Sequence, residues 1–469
     1  MTQEFINKVK EILRENENIK WVQGHFVDIV GGLRVFSIPA KTYLQDMIWR
    51  EGIGFDGSSV KGFAKVERSD MIALPDAKTF LPLPWLYNGE VARIIMDIVD
   101  VDNYQYFSGD PRHIARRASE LVRDTGYDRI ELSPELEFYA FDEFILSDKD
   151  EELDTFLQGE ESIPKARHPV LSIKSKEGYF APLPIDSTES FRNMLSETLI
   201  SSGIDVKYHH HEGGSWQQEI EIKALYDAVE AGDASVFFKF LAKTIGSMRN
   251  LLITFMPKPL PTDAGNGMHV HIELLKNEES VFFDENDKYK LSQVARYFIG
   301  GILEHAKGMT AITNPTTNSY KRLVPYFEAP INIAWAVYNR SALVRIPNRA
   351  GKDNSIDIEV RHPDPSANPY LTFAVIIHAG IDGIKRKIDP GDPVEKDIYS
   401  MDKRELREYN ITRLPRTLHE AIEEMESDEV IKRALGTHAA EAFIDIKNGE
   451  WKEFLAHVST WDYKKYFNV

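Results

Sequence analysis

The chain has 469 residues, 42% of them hydrophobic and 11% aromatic. That fills a substantial core and excludes a disordered or fibrous chain, while the length exceeds the usual single-core size and predicts at least two domains. Its 74 acidic and 56 basic side chains leave a formal charge of −18, a field that repels a phosphate backbone and argues against nucleic acid as partner; the absence of cysteine excludes disulfides, thiolate metal sites and thiol catalysis.

The N-terminal residues Phe5, Ile6, Val9, Ile12 and Leu13 fall at helical spacing and predict an amphipathic helix. Charges interleaved with them leave no signal-peptide run, and no stretch approaches the roughly 18–20 apolar residues of a membrane span. A cytoplasmic protein with no membrane partner is therefore expected. Residues 21–31 and 33–38 read as two strands joined at Gly31-Gly32, and 91–101 as another strand rich in Val and Ile. Asp, Asn, Gly and Pro gather over 102–112, before a helical pattern at 113–122, which predicts a boundary near residue 105. Residues 1–105 would form a small α+β domain and 106–469 a larger one. In the latter, 130–141 and 268–275 alternate as strands, 228–255 reads as one long helix, and 403–469 is helical in pattern.

Four segments could carry chemistry. In Ser133-Pro134-Glu135-Leu136-Glu137, the period of a strand points Glu135 and Glu137 to one face. Such a pair is either solvated or, if buried, in need of a neutralising cation. In His209-His210-His211-Glu212-Gly213-Gly214-Ser215 a reverse turn could return the chain so that Glu212 meets Glu219. Three successive histidines cannot all face one side, so at most one or two could be ligands. The Gly-rich run Asp263-Ala264-Gly265-Asn266-Gly267 leads into a strand presenting His269 and His271 on one face, and such loops let a backbone approach an anion closely. Finally, Arg340, Arg345 and Arg361 lie in apolar sequence, with Glu359 on the strand face of Arg361; arginines so placed meet carboxylates or phosphates, or form structural ion pairs. Oxygen-rich ligands without thiolate favour Mg²⁺ or Mn²⁺, and the combination suggests phosphoryl transfer.

Read in order, these segments resemble type I glutamine synthetase. The blocks that carry the likeness are Phe55-Asp56-Gly57-Ser58-Ser59, Gly178-Tyr179-Phe180, Asn314-Pro315-Thr316-Thr317-Asn318-Ser319-Tyr320-Lys321-Arg322-Leu323-Val324-Pro325, Glu328-Ala329-Pro330, Asn339-Arg340-Ser341 and Pro363-Asp364-Pro365-Ser366-Ala367-Asn368-Pro369-Tyr370. The resemblance implies an α+β fold: a small N-terminal β-grasp-like domain, then a large catalytic domain with an antiparallel sheet and flanking helices. It implies ATP as co-substrate and two or more Mg²⁺ or Mn²⁺ ions per active site. Glu137, Glu212 and Glu219 would hold one ion, and Glu135, His269 and Glu359 the other. Arg340 and Arg345 would stabilise the transferring phosphoryl group, and Arg322 and Arg361 would hold glutamate, with Gly265, His269 and Ser59 also on the substrate. His271 and Arg345 would touch the nucleotide. Asp56 of an adjacent subunit, Tyr179, Glu212 and Glu328 would form the ammonium pocket. The implied assembly is a homo-oligomer, a dodecamer of two hexameric rings with active sites between subunits.

Several positions depart from the family's pattern. The usual Asn before His269 is Ala264, the Ser two residues on is Asn266, the Gly before Gln217 is Trp216, and a later Gly is Tyr326. On the nucleotide side, Ile272-Glu273 stand for Gln-Ser, Asp357 for an Arg, and Asn354 for a Lys. An added acid near ATP repels its phosphates unless it points away. The expected reaction is glutamine formation from glutamate, ammonium and ATP. The rival expectations are a paralogous γ-glutamyl–amine ligase with altered acid or amine specificity, and a catalytically weak regulatory homologue.

Overall fold

The computed structural model describes residues 2–149, 152–158, 173–325, 329–347 and 355–469. These fall into two compact units, residues 1–117 with 435–443, and residues 118–434 with 444–469.

The first unit is built on a five-stranded sheet in the order β2-β1-β5-β4-β3, where β1 is Trp21–Val27, β2 Leu33–Pro39, β3 Ile53–Asp56, β4 Asp70–Pro82 and β5 Val91–Asp100. β1 and β2 form the hairpin expected at Gly31-Gly32; the Asp28 carboxylate closes its loop by accepting from the amides of Val30 and Gly32. β1 and β5 run parallel. The expected amphipathic helix is Thr2–Glu15, and its Ile6, Val9 and Leu13 join a core with Val22, Tyr43, Trp49, Ile94 and Ile98.

The second unit holds a ten-stranded sheet. Its strands are β6 (Arg129–Phe141), β9 (Val206–His211), β10 (Gln217–Ile222), β11 (Leu252–Thr254), β12 (Met268–Lys276), β13 (Glu279–Ser280), β14 (Asn332–Ala336), β15 (Ala342–Arg345), β16 (Ile358–Val360) and β17 (Thr412–Arg413); β7 (Glu143–Lys149) and β8 (Glu152–Gln158) form a separate hairpin. The main path is β17-β14-β15-β16-β12-β6-β10-β9. It is antiparallel as expected except between β14 and β15, which are parallel, so the sheet is mixed. The helix expected over 228–255 is shorter, Ala228–Met248. Asn250 takes a left-handed conformation (φ 58°) that ends it, and the chain continues as β11 on the edge of β6.

Helices Gln293–Glu304 and Pro369–Arg386 pack closely enough that a Cβ on Gly301 would overlap the Ala379 carbonyl, and one on Gly383 the Tyr297 carbonyl. Next to this contact, buried His305 donates from both ring nitrogens, Nδ1 to Asp428 at 2.7 Å and Nε2 to Asp382 at 3.0 Å. Burial lowers its pKa, but the two carboxylates outweigh burial and the net shift is upward. A raised histidine pKa stabilises the fold fully below the unfolded value near 6.5, and this contribution fades as pH rises through the folded value. His305→Gln should therefore cost up to about 3 kcal/mol near pH 6, by stranding two carboxylates. Melting curves should show the deficit narrowing toward pH 9, and a constant deficit would rule out the charged imidazole.

Candidate active site

Strand register builds the site. On β6, Glu135 and Glu137 are two residues apart and share a face. β12 sets His269 opposite Glu135, and β10 sets Glu219 opposite Glu137 and Glu221 opposite Glu135. Further out, Glu359 of β16 lies opposite His271, Arg345 of β15 opposite Glu359, and His210 of β9 opposite Glu219. The reverse turn after β9 brings Glu212 back, its amide donating to the Gln217 carbonyl at 2.8 Å.

Side-chain contacts confirm one shared face. His269 Nδ1 lies 3.2 Å from Glu135 and 3.7 Å from Glu359, and its Nε2 lies 3.9 Å from Glu137. His271 Nε2 is 2.7 Å from Glu135, and its Nδ1 is 2.5 Å from Asp357. Glu359 accepts from Arg345 Nε at 2.5 Å and Arg361 Nε at 3.0 Å. Glu137 accepts from the Gly267 amide at 2.7 Å and from Gln217 at 3.0 Å.

Among the described residues, three groups offer ligand atoms all within 4.8 Å of one another: Glu135, His271 and Glu359; His210, Glu212 and Glu219; and Glu135, Glu219 and Glu221. Four of the six expected ligands, Glu135, Glu212, Glu219 and Glu359, fall in these groups; Glu137 and His269 fall in none of them, and His210, His271 and Glu221 take part instead. The signal for Glu221 was in the sequence, two residues beyond Glu219. The sequence left His209, His210 and His211 undivided as candidates, and the β9–β10 register selects His210.

Electrostatics divide the carboxylates. Burial, then the charges of Glu135, Glu212 and Glu137, push the Glu219 pKa well above the carboxylate range. Burial and Glu135 raise Glu221. Burial works against ionised Glu135 too, yet His271 and His269 outweigh it and hold its pKa well below the usual value. Burial lowers the His269 pKa, whereas His271 is raised well above the usual value, because Glu135 and Asp357 overcome its burial.

The remaining expected residues surround this face or lie elsewhere. Tyr179 is half exposed and stacks on Phe180 at 4.2 Å, with His210 edge-on at 5.2 Å; burial and then Glu212 raise its pKa. Arg340 is exposed, and its carbonyl accepts from Arg361 Nη1. Arg322 is 2% exposed and donates to the carbonyls of His362 at 2.8 Å and Arg361 at 3.3 Å, so its guanidinium braces the main chain. A Cβ on Gly265 would come within 2.8 Å of the Arg322 stem. Asp56 belongs to the first unit, at the end of β3, and accepts from Ser58 and Ser59 hydroxyls at 2.7 and 2.8 Å. Glu328 lies outside the described residues.

Residues 18–101 match the glutamine synthetase beta-Grasp domain and 108–466 the glutamine synthetase catalytic domain. The chain belongs to the glutamine synthetase family. It is 42% identical to the glutamine synthetase of Archaeoglobus fulgidus, over 99% of this chain and 98% of that one. With that of Thermotoga maritima it shares 41% identity, over 98% and 99%. Among solved structures, Plasmodium falciparum glutamine synthetase aligns with a TM-score of 0.89 at 26% identity, over 98% of each chain. A GmaS/ADP complex aligns at 0.84 and 27%, over 98% of this chain and 99% of that one.

Within this chain, the departures from the family's pattern find local partners. Ala264 offers its carbonyl to the Tyr139 hydroxyl at 2.7 Å, and Asn266 is buried between Gln217 and the Met256 carbonyl. Trp216 takes φ 65°, a conformation suited to the family's glycine, and packs on Phe141 at 5.5 Å. Glu273 accepts from Ser355 at 2.9 Å, and Asp357 is turned onto His271. Tyr326 and Asn354 lie outside the described residues.

Proposed function

We propose that this chain joins ammonium to the γ-carboxylate of L-glutamate with ATP, through γ-glutamyl phosphate, giving glutamine, ADP and phosphate. The observation that carries this reading is the single buried sheet face bearing Glu135, Glu137, Glu219, Glu359, His269 and His271, in a chain 42% identical to a glutamine synthetase. In this reading residues 1–105 are the β-grasp-like domain and 106–469 the catalytic domain.

The donor set fits divalent metal: it is oxygen-rich, lacks thiolate, and buries Glu219 beside three other carboxylates whose repulsion a cation would relieve. Glu137, Glu212 and Glu219 would hold one Mg²⁺ or Mn²⁺, and Glu135, His269 and Glu359 a second. When bound, the ions neutralise phosphate charge and act as Lewis acids. Arg340 and Arg345 would orient the phosphoryl group as it passes from ATP to the substrate carboxylate, with His271 on the nucleotide. Arg322, Arg361, Gly265 and Ser59 would position glutamate. Tyr179 and Glu212, with Glu328 and Asp56 of a neighbouring subunit, would hold ammonium and take the proton it loses before nitrogen attacks the acyl phosphate and displaces phosphate. Exposed Leu455, Val458, Trp461, Tyr466 and Phe467 near the C-terminus are apolar surface that subunit contacts would cover, in keeping with a dodecamer of two hexameric rings.

The test is phosphate release from ATP with Mg²⁺ and L-glutamate, with and without ammonium, beside a panel of small amines. Ammonium-dependent turnover yielding glutamine is expected. Turnover with another amine alone would overturn the assignment.

A further inference from the structure

The His271 ring is held from both ends. Its Nδ1 is 2.5 Å from Asp357 Oδ2, and its Nε2 is 2.7 Å from Glu135 Oε1. Asp357 is 2% exposed and His271 9%, so neither side chain is left to solvent. Asp357 immediately precedes β16, and His271 faces Glu359 across the β12–β16 pairing.

A carboxylate only accepts, so without a metal both ring nitrogens donate, Nδ1 to Asp357 and Nε2 to Glu135; a cation at Glu135 would take the place of the Nε2 proton, while Asp357 keeps the one at Nδ1. This is the arrangement by which a carboxylate orients a metal-bound histidine and strengthens it as a ligand. An arginine, the family's usual residue at this position, has no acceptor and could not do it. The ligand atoms of His271, Glu135 and Glu359 already lie within 4.8 Å of one another.

We propose that Asp357 is a positioning residue that fixes His271 as a nitrogen ligand of the divalent metal at Glu135 and Glu359, beside His269. The inference rests on the metal assignment made above, extends it, and replaces the nucleotide contact given to His271 there. With a second imidazole the site becomes richer in nitrogen, and its preference moves from Mg²⁺ toward Mn²⁺ and later transition metals.

The test is Mn²⁺ binding to the nucleotide-free protein, followed by affinity and by the ¹⁴N couplings of bound Mn²⁺ in pulsed EPR. Glu135→Gln and Glu359→Gln serve as controls on the parent assignment: if both bind Mn²⁺ with wild-type affinity, the metal is elsewhere and that assignment fails. Given that they do not, wild type should show two imidazole couplings and His271→Gln one. Asp357→Ala should weaken Mn²⁺ binding about 10–100-fold. Asp357→Asn, whose amide oxygen still accepts and whose volume is unchanged, should recover most of that loss. A single imidazole coupling in wild type, or Asp357→Ala with unchanged Mn²⁺ affinity and reduced ATP affinity, would overturn the inference and leave His271 as a nucleotide contact.

Discussion

Glu219→Gln is expected to melt higher than wild type in EDTA and to turn over at least about 1000-fold more slowly with Mg²⁺. The two effects have one cause. Glu219 is 5% exposed and faces the charges of Glu135, Glu212 and Glu137, which together with burial hold its pKa well above the carboxylate range. A carboxyl whose folded pKa exceeds its unfolded value near 4.5 destabilises the fold once ionised. That penalty is absent below the unfolded value, grows with rising pH, and is complete above the folded one. The neutral amide escapes it and can donate to Glu212, as the protonated acid does. The gain in melting temperature should therefore increase with pH. Removing the same charge deprives a proposed metal site of a ligand, and a loss of about 4 kcal/mol in transition-state stabilisation corresponds to about 1000-fold. Differential scanning calorimetry in EDTA and steady-state phosphate release check the two halves separately. A lower melting point would contradict the repulsion, and near-normal turnover would contradict the ligand.

The sequence made the common face of Glu135 and Glu137 readable because the strand period is local: two residues in one strand need no partner to define their direction. Cross-strand neighbours are a different matter. That His210, rather than His209 or His211, meets Glu219 depends on the β9–β10 register, which the turn between Glu212 and Gln217 sets. The bond between His271 and Asp357 spans 86 residues and needs β16 to lie beside β12, which no local pattern specifies. The parallel β14–β15 pair is equally non-local. The early end of the helix at Met248 has a local cause, the left-handed Asn250, but apolar residues continuing to Phe255 hid it: those residues serve β11 instead.

The departures show the same division. Family patterning marks Ala264, Asn266 and Trp216 as altered, but a sequence cannot tell whether the alteration touches ligand or scaffold. Here the Ala264 carbonyl and both ends of the Asn266 amide are engaged with the protein's own Tyr139, Gln217 and Met256. These three positions hold the Gly-rich loop against β6 and β10, beside Glu137, which accepts from the loop's Gly267 amide. Their effect on chemistry then runs through the placement of that loop.

Gly267→Ala tests this placement most directly. A Cβ there would stand 2.8 Å from Arg322 Nη2 and 2.8 Å from His269 Nε2, so a methyl group must push the guanidinium, the imidazole or the loop. None is free to yield cheaply: Arg322 is pinned to two main-chain carbonyls, and His269 is held by Glu135. Overpacking of this kind destabilises by about 1–3 kcal/mol. Displacement by about 1 Å at a proposed substrate- and metal-holding pair is expected to lower kcat/KM for glutamate about 100-fold. The KM for glutamate and the Mn²⁺ dissociation constant should rise together, since one methyl group disturbs both residues. If the melting point falls while both constants stay at wild-type values, Gly267 serves packing alone and Arg322 is a brace for the main chain rather than a contact for the acid.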